Sequence, residues 1–263
     1  QTLAIPTSTV TGDPDPVAPV SVKGAYVKGS AWNASYLARS PFTTLDGSAI
    51  GWQLPDGANQ LVNASNVSWN NVDVVSVRFD QPIAQPAADA LQLVLGTAGG
   101  NQMIVPSVSP TLLAGGTVAQ WTLPAAIASG RYVISIASAG ITNAAGTAVL
   151  DGEWTSSTST FAEGSGDGTA GGIFNFFFNA LVGDVNGNGS MNPTDISTIR
   201  SSLTSAFTTS LKLDDSDYRL DINGSNGLNS ADLSQTRAQL ISAFGTSLAS
   251  LPSVTAPVEQ SVR

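Results

Sequence analysis

Two twelve-residue stretches constrain this chain more than anything else in it. Residues 184–195 read DVNGNGSMNPTD and residues 221–232 read DINGSNGLNSAD. Each sets an oxygen-bearing side chain at positions 1, 3, 5, 9 and 12. In the first these are Asp184, Asn186, Asn188, Asn192 and Asp195; in the second, Asp221, Asn223, Ser225, Asn229 and Asp232. Position 7, which offers its backbone carbonyl, is Ser190 in one and Gly227 in the other. At that spacing a tight loop can wrap a hard cation such as Ca²⁺, with position 9 acting through a water. Position 6 has to turn through positive φ. It is Gly189 in the first loop and Asn226 in the second, the two residue types that adopt this conformation most readily.

The two loops are one unit written twice, 37 residues apart from Asp184 to Asp221. The repeat runs past the ligands: Ile196 matches Leu233, Arg200 matches Arg237, Leu203 matches Leu240 and Phe207 matches Phe244. Apolar steps of seven and four put these positions on one helical face, so residues 193–207 and 230–244 are expected to be amphipathic helices that begin inside the loops. Pro193 falls in the first turn, where its missing N–H has no partner to lose.

Residues 183–244 resemble the type I dockerin module. The resemblance implies two EF-hand-like loop–helix repeats, each lacking the entering helix, and two bound Ca²⁺ ions held by the twelve residues named above. It also implies a cohesin-like protein as partner. The chain departs from the family at two places. Position 5 is Asn188 and Ser225 instead of Asp, which leaves two carboxylates per loop and a weaker pull on the cation. Positions 10 and 11, where the family carries a Ser-Thr recognition pair, are Pro193-Thr194 and Ser230-Ala231.

Residues 21–180 read as all-β. Runs at 22–28, 72–79, 91–95, 102–105, 118–123, 131–137 and 173–179 alternate in hydropathy between Gly, Pro, Asn and Asp breaks. Seven such strands predict an immunoglobulin-like sandwich. Residues 28–72 are too long for a plain loop and are expected to hold a short helix and one or two further strands. Residues 140–172 resemble the late-strand segment of Ig-like modules in large bacterial surface proteins. Their acids, Asp151, Glu153 and Asp167, read first as turn residues, with a further Ca²⁺ as the alternative. Residues 1–20 form an arm broken by Pro14, Pro16 and Pro19, a candidate donor strand for an open sheet edge. The C-terminal module spans 181–245, joined to the body without a linker, and 246–263 form a Ser/Pro-containing tail.

Composition removes several classes of function. The 263 residues hold no Cys and no His, so disulfides, thiolate chemistry and the usual zinc sites are out. The commonest general base is missing as well. Charged residues are 11% of the chain, against about 25% in an average globular protein. Nineteen acids against ten bases give a net charge of −9, which argues against nucleic acid and anionic membrane as partners. No run approaches a membrane span. A first residue of Gln instead of Met fits removal of a leader, and with the Ca²⁺ loops it leads to an expectation of export to the cell surface or medium. The expected function is a non-catalytic extracellular assembly protein: a β-sandwich body with a Ca²⁺-stabilised docking module that binds other copies of the chain. The alternative is a carbohydrate-binding or cohesin-anchored module of a polysaccharide-degrading system.

Overall fold

The computed structural model describes residues 17–97, 100–206 and 217–243. Residues 1–16 of the expected arm, a short helix that the sequence suggests around 209–212, Phe207 and Phe244, and the tail lie outside the described residues.

All seven predicted runs are strands. They are β1 (Val20–Lys28), β4 (Val74–Phe79), β5 (Leu91–Thr97), β6 (Gly100–Ile104), β8 (Val118–Thr122), β9 (Gly130–Ala137) and β11 (Ile173–Ala180). The stretch between β1 and β4 holds a one-turn helix α1 (Ala34–Leu37), two strands, β2 (Phe42–Leu45) and β3 (Ser48–Gln53), and two 3-10 turns. Two short strands had no clear signal in the sequence: β7 (Thr111–Leu113) and β10 (Leu150–Asp151). Neither reaches four residues, too few for an alternating pattern to register.

The strands form two sheets. One runs β2-β3-β1-β4-β8-β7, with β10 added in parallel beside the start of β1; the other runs β11-β9-β5-β6. Every other pairing between these strands is antiparallel. One hydrophobic core draws on both sheets. Val22, Val75, Val77 and Trp121 come from the first; Leu91, Leu93, Ile134, Ile136, Phe174 and Phe176 come from the second. In β11 the odd–even alternation is plain: Phe174, Phe176 and Phe178 are buried while Phe177 is half-buried on the other face. Trp154 and Phe161 close over this row, with Phe161 stacked on Phe176 at a centroid distance of 5.3 Å.

A second, smaller core belongs to the C-terminal repeats: Val182, Val185, Ile199, Leu220 and Ile222. It begins two residues after Ala180, the last residue of the large core. The two expected helices are α2 (Pro193–Ala206) and α3 (Ser230–Ala243). Leu203 and Leu233 of the expected faces pack against this small core. Ile199 and its repeat partner Thr236 are fully buried, whereas Ile196, Leu233 and Leu240 are half-buried and line an open groove with Arg200 and Arg237. Thr236 hid this in the sequence, because it buries a methyl while its hydroxyl donates back to the Asp232 carbonyl at 2.8 Å.

Phe176 tests the large core. It is fully buried among Trp154, Phe161 and Phe174. Phe176→Ala should lower the unfolding free energy by about 3–5 kcal/mol, read as a fall in the urea midpoint at an unchanged slope.

Candidate metal centre

Each repeat loop folds around its first aspartate. Asp184 is fully buried, and its two carboxylate oxygens accept from the backbone N–H groups of Asn188 (3.0 Å) and Gly189 (2.9 Å). Asp221 does the same in the second loop, accepting from Ser225 (2.9 Å), Asn226 (2.7 Å) and Gly227 (3.1 Å). The sharp turn falls where the sequence places it, with φ of 82° at Gly189 and 70° at Asn226. The side-chain oxygens of Asn186 and Asn223 take the position-5 N–H, at 3.0 Å and 2.9 Å. Asn188 accepts from Ser190 N–H at 2.8 Å, and Ser225 donates to the Gly227 carbonyl at 3.1 Å.

Positions 9 and 12 start the helices. Asn192 accepts from Thr194 N–H (2.8 Å) while Asp195 accepts from Asn192 N–H (2.9 Å). Asn229 and Asp232 repeat the arrangement with Ala231 N–H (2.8 Å) and Asn229 N–H (2.9 Å). These are reciprocal caps of the kind that satisfy orphan N–H groups at a helix start. Capping uses one oxygen of each position-12 carboxylate. The other oxygen of Asp195 accepts a long bond from Asn186 N–H at 3.3 Å. The other oxygen of Asp232 is buried and, among the described residues, makes no well-formed hydrogen bond; only the Asn223 N–H, counterpart of Asn186, still favours its charge.

All twelve predicted residues therefore lie in two compact loops, and both Asp pairs are brought together out of solvent. Burial pushes the carboxyls of Asp195 and Asp221 above their ordinary value, against opposing backbone hydrogen bonds. It pushes Asp232 from 3.8 up to about 6. The donor set is all oxygen, as a hard cation such as Ca²⁺ requires. The unpartnered oxygen of Asp232 is the place where the loop's own hydrogen bonds leave a negative charge unmatched.

The loops also grip the β body through a wall that the sequence reading did not identify. Residues 63–70 run alongside both. Asn66 donates to the Asp184 carboxylate (3.2 Å) and Asn63 to the Asn188 carbonyl (3.0 Å). Arg219, buried just before the second loop, donates to the carbonyls of Ala64 (2.8 Å) and Asn66 (2.6 Å). The Tyr36 hydroxyl takes the Trp69 indole N–H (2.6 Å) and donates to the Tyr218 carbonyl (2.5 Å). Tyr218 stacks on Trp69 at 5.6 Å. Backbone bonds from Asn33 to Gly224 and from Asn70 to Ile222 complete the seam. The signal in the sequence was the aromatic run Trp32, Tyr36, Phe42, Trp52 and Trp69. All five are buried, and they pack against one another beneath Tyr218 instead of forming an exposed platform.

Asp151, Glu153 and Asp167 bring carboxylate oxygens within 4.8 Å of one another. Asp151 is buried and accepts from the N–H groups of Asp167 (3.1 Å) and Gly168 (2.7 Å). A hydrogen bond with Asp151, then burial, raises the Glu153 carboxyl.

No family model matches the chain, and no curated protein matches it. Three solved structures show a faint likeness, all of fragments of a bacterial S-layer protein, SbsC. Its N-terminal part is 15% identical at a TM-score of 0.26, over 41% of this chain and 21% of that one. A longer fragment is 21% identical at 0.25, over 34% and 13%, and domains 1–6 are 16% identical at 0.27, over 43% and 12%. This chain spans at most about a fifth of those chains, and a likeness at this level carries no argument about fold or function. Among the described residues no helix is long and apolar enough to cross a membrane.

Two measurements test this geometry. Gly224 sits at φ 66°, where an added Cβ would stand 2.4 Å from the Trp32 ring. Gly224→Ala should lower stability by at least about 1–3 kcal/mol. Gly227→Ala, with open space around its Cβ, should stay within about 0.5 kcal/mol of the parent. The second measurement concerns pH. A raised folded-state pKa at Asp232 means that protonation favours the folded chain. That contribution is complete below pH 3.8 and lost as pH rises through about 6. In chelator, the melting temperature should fall as pH rises from about 4 to about 6 and level off above that, and saturating Ca²⁺ should abolish the fall.

Proposed function

We propose that this chain is a non-catalytic extracellular structural protein, with a dockerin-like C-terminal module that holds two Ca²⁺ ions. Side chains of Asp184, Asn186, Asn188, Asn192 and Asp195 and the Ser190 carbonyl would hold one. Asp221, Asn223, Ser225, Asn229, Asp232 and the Gly227 carbonyl would hold the other. The observation that carries this reading is the pair of fully buried aspartates in each loop, with the second Asp232 oxygen unpartnered. A divalent cation supplies the missing positive charge, stiffens both loops, and so fixes α2 and α3 against the β body. On this reading the body is an Ig-like sandwich. The module is its rigid extension, not a tethered arm, because Leu181 and Gly183 already donate into the 67–68 backbone of the body.

The partner in this reading is another copy of the chain. Positions 10 and 11 depart from the cohesin-recognition pair, and the seam along residues 63–70 removes the freedom a tethered anchor would use. The acidic, sparsely charged surface suits packing of like subunits in a Ca²⁺-containing medium, where cations screen the net charge. A carbohydrate-binding role has less behind it, since the aromatic residues that would stack on sugar are buried.

Electron microscopy of the purified chain should show ordered filaments or lattices in millimolar Ca²⁺ that disperse in EDTA and return when Ca²⁺ is restored. Monodisperse particles of monomer size under both conditions would remove the assembly reading. Assemblies indifferent to EDTA would remove calcium from it.

A further inference from the structure

The two loops are near-copies, yet their first aspartates are served differently. In the second loop, Asp221 Oδ2 accepts from the N–H groups of Asn226 (2.7 Å) and Gly227 (3.1 Å). Its Oδ1 accepts from the Ser225 N–H at 2.9 Å and the Ser225 hydroxyl at 3.4 Å. Among the described residues, every hydrogen bond to that carboxylate comes from inside the loop. In the first loop, Asp184 Oδ1 accepts from the Asn188 N–H and Oδ2 from the Gly189 N–H, matching positions 5 and 6 of the second. The position-7 N–H does not follow. Ser190 donates instead to the Asn188 side chain at 2.8 Å. The acceptor site this leaves on Asp184 Oδ2 is taken from the β body, by the Asn66 amide at 3.2 Å.

Position 5 causes the difference. Asn188 carries a carbonyl oxygen that captures the N–H two residues on, as Asn side chains do in turns. Ser225 donates its hydroxyl to the Gly227 carbonyl, and the Gly227 N–H goes to Asp221. Asn66 is held firmly for its contact. It is 2% exposed, its carbonyl accepts from Arg219 at 2.6 Å, and its N–H donates to the Asn63 carbonyl at 3.2 Å. The first loop lies directly on this wall. An added Cβ on Gly189 would stand 2.3 Å from the Asn63 side chain, and one on Gly187 would stand 3.3 Å from Ala64. The second loop meets the body through the Ile222 and Gly224 carbonyls and the Asn226 side chain, none of them a ligand in the proposed site.

We propose that Asn66 is a positioning residue for the cation site of the first loop, so that residues 184–195 bind Ca²⁺ at full strength only while the β body supplies this amide, whereas residues 221–232 bind without it. This rests on the calcium reading above and gives the two loops different dependence on the body. A carboxylate oxygen offers about two acceptor sites. On Asp184 Oδ2 both are filled, by Gly189 and Asn66, which fixes the rotation of the carboxyl group. Oδ1, with the Asn188 N–H as its one hydrogen bond among the described residues, is left to face a cation. Without Asn66 the carboxyl group can turn, and binding has to restore its order. Outer hydrogen bonds of this kind set roughly 10–100-fold of a site's metal affinity. Linkage runs both ways: a cation in the first loop strengthens the hold of the body on the module by the same factor.

The test reads the two loops separately in the full chain by calorimetric titration with CaCl₂. Asp221→Ala leaves the first loop to bind alone, and Asp184→Ala leaves the second. Asn66→Ala added to the Asp221→Ala chain should weaken its remaining site about tenfold or more, and added to the Asp184→Ala chain should leave its remaining site unchanged. Equal weakening of both sites would mean that Asn66 only holds the seam together, and would overturn the proposal. No weakening of the first loop overturns it as well, while the calcium reading stands. If neither single-loop chain binds Ca²⁺ before Asn66 is touched, the calcium reading falls and takes this role with it. Should Asn66→Ala fail to fold, Asn66→Leu, which keeps the shape of the side chain and removes its amide, takes its place with the same expected split between the loops.

Discussion

Four carboxylates set the terms for the rest of this molecule. Asp184, Asp195, Asp221 and Asp232 are all fully buried. Burying an ionised carboxylate costs several kcal/mol unless it is paired and hydrogen-bonded. Backbone N–H groups meet much of that demand, but not all of it, as the unpartnered Asp232 oxygen and three raised carboxyls show. With ten basic residues against nineteen acidic ones, the chain has little positive charge of its own to spare. On the proposed reading a cation from solution makes up the difference.

What the loops organise reaches into the body. The wall at residues 63–70 is held from one side by Asn63, Asn66 and Arg219 and from the other by Tyr36, Trp69 and Tyr218. Loosening the second loop would therefore pull on Trp32 and Asn33 through Gly224, far along the chain from the loop. Loop and body are coupled by desolvated hydrogen bonds and ring contacts, each worth on the order of 1 kcal/mol. On the proposed reading, a change in cation occupancy would thereby change how firmly the module is seated.

Much of this was legible in the sequence, for reasons that differ by region. The two twelve-residue loops repeat at fixed spacing, and the helices start where Asn192 and Asn229 cap them, so local chemistry sufficed for their shape. The seven longer strands carry period-two patterns strong enough to read, β11 above all. β7 and β10 are too short to carry one. The seam was out of reach for another reason: Arg219 and Asn66 are unremarkable residues about 150 positions apart, and only the fold brings them together. The buried repeat pair Ile199 and Thr236 was missed because one of its members is a polar type. Five aromatic residues stand between Tyr26 and Asn70, but nothing in their spacing shows that they form the seat of the C-terminal module.

The account stands or falls on the charge balance inside the two loops. Isothermal titration of the chelator-stripped chain with CaCl₂ at pH 7.5 measures it directly. Two ions bound per chain, reduced to one by either Asp184→Ala or Asp221→Ala, is the predicted result. No saturable binding at millimolar Ca²⁺, in a chain whose circular dichroism shows it folded, would contradict it.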